Sequence, residues 1–267
     1  MAASILPPEG EHLATGWEPD LPPGDSLVRQ AVLAHASWAV DAARRAGRPW
    51  YEGETWAGGV LGDRAALTNW VVPKQPVDPA GLLAEVHELF PPGVPYLFVS
   101  AWPTPDLRPY GLGLAGHPPL MARFPQTRTD PPTTDLAIRR VDSAEALADA
   151  ERVLVEGYPL PELQPFKAGA LLDPSSLDGP TAYWVGYDGD VPLATAAAHD
   201  AAGVTVVENV AAMPAARGRG AGAAVTWAAT THRPDQVAVL IASDFGQPVY
   251  ERLDYLRIER WTVWVRT

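Results

Sequence analysis

The feature that most constrains this 267-residue chain is a strand-like run that leads through a glycine-rich turn directly into a helix. Residues 204–222 read VTVVENVAAMPAARGRGAG, and the alanine-rich sequence that follows favours a helix, which Pro234 ends. The first N–H groups of a helix have no intrahelical partner, and the helix dipole adds about half a positive charge there. Glycines at 218, 220 and 222 let an anion approach the backbone without a Cβ in the way. The segment therefore predicts a binding site for a phosphate-bearing ligand.

The spacing within this turn limits which phosphate ligand can fit. Arg217 and Arg219 add local positive charge to a chain whose formal net charge is −12. A P-loop would require GxxxxGK[ST], and the segment has no such lysine. Gly218-x-Gly220-x-x-Ala223 fits the dinucleotide fingerprint GxGxxG/A, but too little chain follows it to build the rest of a doubly wound domain. A dinucleotide or S-adenosylmethionine enzyme stays as a minor alternative, and so does a purely structural glycine turn.

The second half of the chain predicts a regular series of strands and helices around this turn. Strands are predicted at 135–141, 181–187, 193–199, 204–212 and 237–243, with a final strand pair in 255–265, and helices at 142–157, after 222 and around 248–253. Turn residues at 188–190 and 200–203 indicate antiparallel hairpins, and the apolar run at 237–243 indicates a strand buried on both faces. The pattern predicts the α/β (α+β) class, with a mixed, mostly antiparallel sheet flanked by helices.

A proline-rich segment at 124–134 is predicted to be a linker that divides the chain into domains 1–130 and 131–267. The first half is similar to a degenerate copy of the later part of the second, with a strand at 66–72, a helix at 78–90 and a strand at 95–102; Asn69 parallels Asn209. KQPVDP stands where the copy would need its glycine turn, and its prolines offer no N–H to an anion. We therefore expect two tandem halves that pack as an intrachain pseudo-dimer.

Two motifs in the second half resemble those of one enzyme superfamily. Arg217-x-x-Gly220-x-Gly222 resembles R/Q-x-x-G-x-G/A, the acetyl-CoA-binding motif of the GNAT superfamily of N-acetyltransferases. SDFGQPVYERLDY, from Ser243, is similar to the later family motif S-x-x-G-x-P-x-Y-x-x-L-G-Y/F, although Asp254 stands where the family has glycine. The resemblance covers about 133–267, and the first half resembles the degenerate N-terminal repeat of tandem members. It implies two GNAT-like halves and transfer of an acetyl group from acetyl-CoA to a primary amine.

The resemblance also implies roles for particular residues of this chain. In the family, the pantetheine arm of acetyl-CoA pairs with a strand, and the pyrophosphate lies on the turn and helix start. The matching positions are Val210, Ala211, Ala212, Arg217, Gly218, Arg219, Gly220, Ala221, Gly222 and Ser243. Tyr250 matches the tyrosine that protonates the departing thiolate, and the alternative is a tyrosine that only packs against the cofactor sulfur.

Glu208 is the candidate general base for the amine. Strand alternation places it on one face with Val204, Val206 and Val210, as a lone carboxylate among apolar neighbours. The alternative is an edge-facing glutamate in water. Weaker candidates for the lining of the acceptor pocket are Tyr158, Tyr183 and Glu156. Since the chain has no cysteine, a cysteinyl acyl-enzyme is excluded, which favours direct attack in a ternary complex.

Composition excludes several other classes of protein. The net charge of −12 argues against a nucleic-acid partner, and the absence of cysteine excludes disulfides, zinc–thiolate sites and iron–sulfur clusters. The six histidines are scattered, so no metal site is expected. No apolar run approaches a membrane span and no secretory signal is visible, so we expect a cytoplasmic protein without a membrane partner.

Two questions stay open at this stage. The acceptor is a small-molecule or peptide amine, and the acidity of the chain favours a cationic one such as a polyamine, an aminoglycoside or a protein N-terminus. The oligomeric state is undetermined. A non-catalytic acyl-CoA-binding or sensor protein is the alternative function, because the first half shows that such a turn can be lost.

Overall fold

The computed structural model describes residues 26–125, 130–158 and 160–267. Part of the predicted linker, residues 126–129, lies outside the described residues. The helices are α1 (Leu27–Arg45), α2 (Pro79–Leu89), α3 (Ala144–Gly157), α4 (Ala221–Thr230) and α5 (Gln247–Arg252). The strands are β1 (Trp50–Glu52), β2 (Trp56–Gly59), β3 (Trp70–Pro73), β4 (Tyr96–Ser100), β5 (Gly113–Gly116), β6 (Pro119–Arg123), β7 (Ala137–Arg140), β8 (Thr181–Asp188), β9 (Val191–Ala201), β10 (Val204–Ala212), β11 (Val237–Ile241), β12 (Leu256–Arg260) and β13 (Thr262–Arg266).

These strands form two mixed sheets that are mostly antiparallel, as predicted. The first sheet has six strands in the order β1-β2-β3-β4-β13-β5, and the second has seven in the order β12-β6-β11-β10-β9-β8-β7. Each sheet contains one parallel pair, β3 with β4 in the first and β10 with β11 in the second. The other recorded pairs are antiparallel, so each sheet combines hairpins with one crossover through a helix.

The two halves exchange one strand each. Strand β6, from the first half, lies between β11 and β12 of the second sheet, while β13, at the end of the second half, lies between β4 and β5 of the first. The prediction that 255–265 forms a strand pair is therefore wrong, because β12 pairs with β6 and β13 pairs with β4 and β5. Trp261 separates them: its ring is fully buried, and its backbone N–H donates to the carbonyl of Pro118.

Most of the other predicted elements are confirmed, with two local differences. Residues 66–72 were predicted to be one strand, but Ala66–Thr68 forms a 3-10 turn, and the strand begins at Trp70. The helix after 222 ends at Thr230, ahead of Pro234. Helix α1 had no counterpart in the sequence predictions; Ser26 caps it by accepting a hydrogen bond from the N–H of Arg29.

Helices cover both faces of the second sheet. On one face, alanines of β9 and Val225 and Ala229 of α4 form one core cluster. On the other face, Leu147 and Val153 of α3 pack with the apolar residues of β8. Helix α1 also lies on this second face, where it contacts β9 and β10, and it contacts β2 and β3 of the first sheet as well. It is thus the helix that joins the two sheets. No described helix is both long enough and apolar enough to cross a bilayer.

Candidate active site

The two parallel strands β10 and β11 separate along their length and open a cleft. Their register extends only from Val204 and Val237 to Val206 and Val239. Beyond that point β11 continues beside β6, whereas β10 continues beside β9. The edge of β10 that faces the cleft therefore has backbone N–H and C=O groups that no neighbouring strand satisfies.

A β-bulge in β10 changes which side chains face which helix. The pairing with β9 shifts between Glu208 and Ala211, and Asn209 has a φ of +55°. Val204 and Val206 belong to the cluster that includes α1, whereas Val210 packs against the cluster on the α4 side of the sheet. The prediction that Val210 shares a face with Glu208 is therefore wrong, because one additional residue reverses the alternation after the bulge.

The cleft leads into a groove of about 760 Å³ on one side. Its lining includes six of the residues predicted to bind the cofactor: Val210, Ala211, Ala212, Arg217, Gly222 and Ser243. The other residues lining the groove are Gly157, Tyr158, Phe245, Gly246, Val249 and Tyr250. Phe245, which was not predicted, is 96% exposed at this groove and is the most exposed large apolar side chain described. A phenylalanine at such a position is suited to contact a ligand that fills the groove.

The turn that follows β10 leaves the start of α4 open. Gly218 and Gly220 have φ values of +78° and +74°, and Gly220 is the N-cap of α4, with no side chain capping the helix. A Cβ at Gly220 would collide with the carbonyl oxygen of Thr133, so this glycine is required by both conformation and space. At Gly222 a Cβ would meet no atom within 4 Å. The uncapped helix start beside Gly222 has the geometry of an anion site.

The two arginines of the turn have different surroundings. The guanidinium of Arg219 makes ion pairs with Asp135 at 2.7 Å and Asp188 at 2.9 Å, and these hydrogen bonds raise its pKa. Arg217 lines the groove. The positive charge of Arg219, which sequence analysis assigned to the ligand, is thus largely compensated by carboxylates of this chain.

A second cavity, of about 220 Å³, lies on the other side of the cleft. Tyr158, Val210, Ser243 and Tyr250 line both this cavity and the groove. Glu208 lines the second cavity only. Residues of the first half complete its wall: Trp38, Leu67, Trp70, Leu97, Val99 and Pro118. The site therefore consists of a cofactor-sized groove and a smaller pocket that meet at two tyrosines.

Tyr250 has the environment of a hydroxyl that stays protonated. Its ring is buried, and burial, followed by the negative charge of Glu208, raises the pKa of Tyr250 far above its usual value. The pKa of Tyr158 is also raised by burial and by Glu208. Both hydroxyls are consequently proton donors over the neutral pH range, at the junction of groove and pocket.

A residue that sequence analysis did not identify lies behind Glu208. His35, on α1, is fully buried, and its Nε2 lies 3.5 Å from Oε1 of Glu208. Both atoms are buried and have no other hydrogen-bond partner. No signal in the sequence pairs these residues, because one lies in each half of the chain.

The weaker candidates for the acceptor pocket lie in different places. Tyr158 lines the pocket. Tyr183 lines a separate void of about 30 Å³, and burial raises its pKa to about 12. Glu156 lines neither the groove nor the pocket, and it lies 3.8 Å from Arg152 on α3. Within 26–125, 130–158 and 160–267, no group of three or more His, Asp or Glu side chains is placed to hold a metal ion.

The fold itself is found in solved structures. No protein-family model matches the sequence, and no curated protein is detectably similar to it. A GCN5-related N-acetyltransferase from Kribbella flavida matches with a TM-score of 0.64 and 20% identity, over 91% of this chain and 96% of that one. A candidate acetyltransferase of the GNAT family from Novosphingobium aromaticivorans matches with a TM-score of 0.56 and 13% identity, over 86% and 95%.

A conserved protein of unknown function from Staphylococcus epidermidis also matches, with a TM-score of 0.52 and 15% identity, over 81% of this chain and 92% of that one. These matches extend over both halves, so the arrangement is a tandem two-sheet α/β fold with an open parallel strand pair. The fold is that of the GCN5-related N-acetyltransferase (GNAT) superfamily.

Proposed function

We propose that the protein is an acetyl-CoA-dependent N-acetyltransferase that transfers an acetyl group to a primary amine by direct attack in a ternary complex. The observation that carries the proposal is the meeting of a large groove and a smaller pocket at Tyr250 and Tyr158, with Glu208 on the pocket side. A cofactor in the groove and an amine in the pocket would place their reacting atoms at this junction.

The groove offers the groups that such a cofactor needs. The unpaired edge of β10 from Val210 to Ala212 can bond the amides of the pantetheine arm, as another strand would. The open start of α4 beside Gly222 and the side chain of Arg217 can hold the pyrophosphate. Gly218, Gly220 and Ala221 shape the turn, while Arg219 fixes it to Asp135 and Asp188.

The chemistry assigns one proton transfer to each side of the junction. The amine nitrogen attacks the thioester carbonyl carbon, the C–N bond forms and the C–S bond breaks. Tyr250 donates its hydroxyl proton to the departing sulfur, and Glu208 accepts, directly or through one water, the proton that the nitrogen loses. Transfer of that proton through water to Tyr250 restores both groups. Ser243 and Tyr158 also line both the groove and the pocket.

We further propose that residues 131–267 form the transferase domain and that 1–130 form a degenerate GNAT-like domain without a cofactor site. The exchange of β6 and β13 and the position of α1 between the sheets support an intrachain pseudo-dimer. The first half then provides part of the acceptor wall, since Trp38, Trp70 and Val99 line the pocket.

Thermal unfolding and thiol release test the proposal. Acetyl-CoA at 100 times its dissociation constant should stabilise the protein by about 2.7 kcal/mol, whereas NAD and S-adenosylmethionine should not. An amine panel should then release coenzyme A, which a thiol reagent detects without background because the chain has no cysteine. Stabilisation without thiol release from any amine would indicate the non-catalytic acyl-CoA-binding alternative. Absence of both would contradict the proposal.

A further inference from the structure

The walls of the acceptor pocket indicate what kind of amine it holds. Its apolar side chains come from both halves of the chain and include Trp38, Leu67, Trp70, Leu97, Leu154 and Val263. The ionisable side chains that line it are Glu208, Tyr158 and Tyr250, and among the described residues no lysine, arginine or second carboxylate does so. The pocket thus has one carboxylate surrounded by hydrocarbon and indole.

The pocket also has the size of a ring system. A cavity of 150 Å³ lined by apolar side chains accepts benzene, and this pocket measures about 220 Å³. Trp38 and Trp70 meet edge to face, with ring centroids 4.8 Å apart, and Trp70 is 7% exposed. Flat, rigid surfaces of this kind favour an apolar or aromatic body.

We infer that the acceptor is a small primary monoamine whose apolar body lies between Trp38, Trp70 and Leu97 while its amino group faces Glu208. This inference rests on the proposed function. A second ammonium group, as in a polyamine or an aminoglycoside, would be buried against apolar walls without a counter-charge, which is strongly unfavourable. The overall acidity of the chain therefore does not define the acceptor; the pocket lining does.

Two isosteric amines test this directly. n-Hexylamine and 1,5-diaminopentane have the same number of heavy atoms and differ in a terminal methyl against a terminal ammonium. We expect kcat/KM for n-hexylamine to exceed that for the diamine at least about 10-fold, since the second charge finds no partner. Leu97→Asp, which adds a carboxylate to the pocket, should reduce or reverse the preference.

A matched pair of tryptophan variants tests whether the preference for an apolar amine arises in the pocket. Trp38→Ala should lower kcat/KM for n-hexylamine and phenethylamine more than for the diamine. Trp50→Ala, at a side chain that is 44% exposed and outside the pocket, should leave both unchanged. Unfolding temperatures of each variant show whether a loss of activity is a loss of folding.

The outcomes separate this inference from the proposed function. If acetyl-CoA binds and the diamine, or a peptide with a hydrophilic N-terminus, is acetylated as well as n-hexylamine, the acceptor class is wrong and the activity stands. If acetyl-CoA does not bind, the proposed function fails. If acetyl-CoA binds and no amine reacts, equilibrium binding of the two amines, measured by tryptophan fluorescence, decides: equal affinities overturn the inference.

A second inference comes from the contact between His35 and Glu208. The Nδ1 atom of His35 lies 2.7 Å from the carbonyl oxygen of Ala31, which can only accept a hydrogen bond, so Nδ1 carries a proton. The Nε2 atom faces Oε1 of Glu208 at 3.5 Å. With no proton between them, two buried acceptors would face each other unsatisfied, which is unfavourable. A single proton between the imidazole and the carboxylate would satisfy both atoms.

We propose that His35 is a positioning residue for Glu208. With that proton on Nε2, His35 would hold one carboxylate oxygen and leave the other for the amine, and the rings of Trp70 and Trp261 pack against the imidazole. The other titratable groups around the pair are Tyr158, just after α3, and Tyr250 on α5, which face Glu208, and His199 on β9, which interacts with His35.

A double-mutant cycle tests this role. His35→Phe should lower kcat/KM about 10-fold or more and change the acidic limb of its pH profile, whereas His35→Gln, which retains an N–H donor, should recover much of the loss. The double variant with Glu208→Gln should be no worse than Glu208→Gln alone. Additive losses, or a His35→Phe profile identical to that of the wild type, would overturn the proposal. His87→Phe, at a histidine that lines neither cavity, is the control for removing a histidine.

Discussion

The two halves of the molecule contain the same strand arrangement, but only the second half has a large groove beside it. In each, the first strand of a parallel pair is followed by a turn and a helix that leads to the second strand: β3, α2 and β4 in the first half, and β10, α4 and β11 in the second. The cavity beside the first turn measures about 70 Å³, and the groove beside the second measures about 760 Å³. The shared topology is therefore not sufficient for a cofactor site.

The helix starts account for part of the difference. Helix α2 has Pro79 at its first position and is capped by Asp78, whose carboxylate accepts from the N–H of Ala80. That carboxylate lies where an anion would bind. Lys74, the cation of this turn, donates to the carbonyl of Gly53. Helix α4 instead has Gly220 as its N-cap, with no side chain on its first N–H groups. A helix start can hold a phosphate only if the chain does not already supply its own cap.

Asn69 and Asn209, at the matching positions of the two parallel strand pairs, account for the rest of the difference between the halves. The side chain of Asn69 accepts from the N–H groups of Leu61 and Gly62 and donates to the carbonyls of Gly62 and Pro95, which ties β3 to the start of β4. Asn209 lies in the bulge and lines the acceptor pocket. Asparagine thus ties the two parallel strands together in the first half, whereas in the second half it lies in the bulge that lines the pocket.

Separating the halves should have the largest effect. A fragment of 131–267 lacks β6, so β11 and β12 would lose the strand that lies between them in the second sheet. We expect this fragment to be insoluble or to show no cooperative unfolding by circular dichroism, because two unpaired strand edges are exposed. Co-expression with 1–130 should restore folding. A monomeric, fully active 131–267 fragment would contradict the pseudo-dimer.

Placing a carboxylate at each helix start tests the comparison directly. Gly222→Asp should weaken acetyl-CoA binding about 100-fold or more, since a like charge opposes the pyrophosphate. A Cβ there meets no atom within 4 Å, and an acidic residue suits the first turn of a helix, so the unfolding temperature should not fall.

The matched control is Gly81→Asp in the first turn of α2, where a Cβ also meets no atom within 4 Å. This variant should bind acetyl-CoA with unchanged affinity in a calorimetric titration. Equal losses in the two variants would show that the effect arises from the charge of the protein and not from a phosphate site at α4.

Removing one hydroxyl tests the assignment of the proton donor. Tyr250→Phe should lower kcat about 100-fold with little change in acetyl-CoA affinity, because a positioned acid contributes about 10²–10⁴ to the rate. Since the pKa of Tyr250 is raised, the hydroxyl stays protonated as pH rises, so kcat of the wild type should not fall between pH 7 and pH 10 on its account.

Tyr96→Phe is the control in the first half, where burial raises the pKa of Tyr96 to about 12 and its hydroxyl lies 3.3 Å from His87. This variant should keep its full kcat. If the Tyr250→Phe variant kept a normal kcat, Tyr250 would not be the proton donor and would only pack against the sulfur of the cofactor.

The sequence predicted what depends on local chemistry. Glycine positions, hairpin turns and apolar runs predicted most elements of the second half, and six of the residues that the family resemblance singled out line the large groove. It did not predict what depends on distant pairing: the exchange of β6 and β13, and the position of His35 behind Glu208. The bulge at Asn209 was missed because the prediction assumed that side chains along β10 alternate strictly between the two faces of the sheet. One extra residue in a strand breaks this alternation, and nothing in the amino-acid composition reveals it.

The two asparagines allow the smallest and most selective test. Asn69→Ala removes the partners of buried backbone groups, so we expect a loss of about 3 kcal/mol in unfolding free energy, measured by urea titration, with acetyl-CoA affinity retained. Asn209→Gly should cost less than about 1 kcal/mol, because glycine readily adopts the φ of +55° found there and no hydrogen bond of the Asn209 side chain is present among the described residues. Asn209→Val, which disfavours this φ, should instead weaken acetyl-CoA binding, since the bulge positions the edge of β10. If Asn209→Gly were as destabilising as Asn69→Ala, the two asparagines would have the same structural role. The presence of a large groove in the second half only would then have to result from the different starts of α2 and α4.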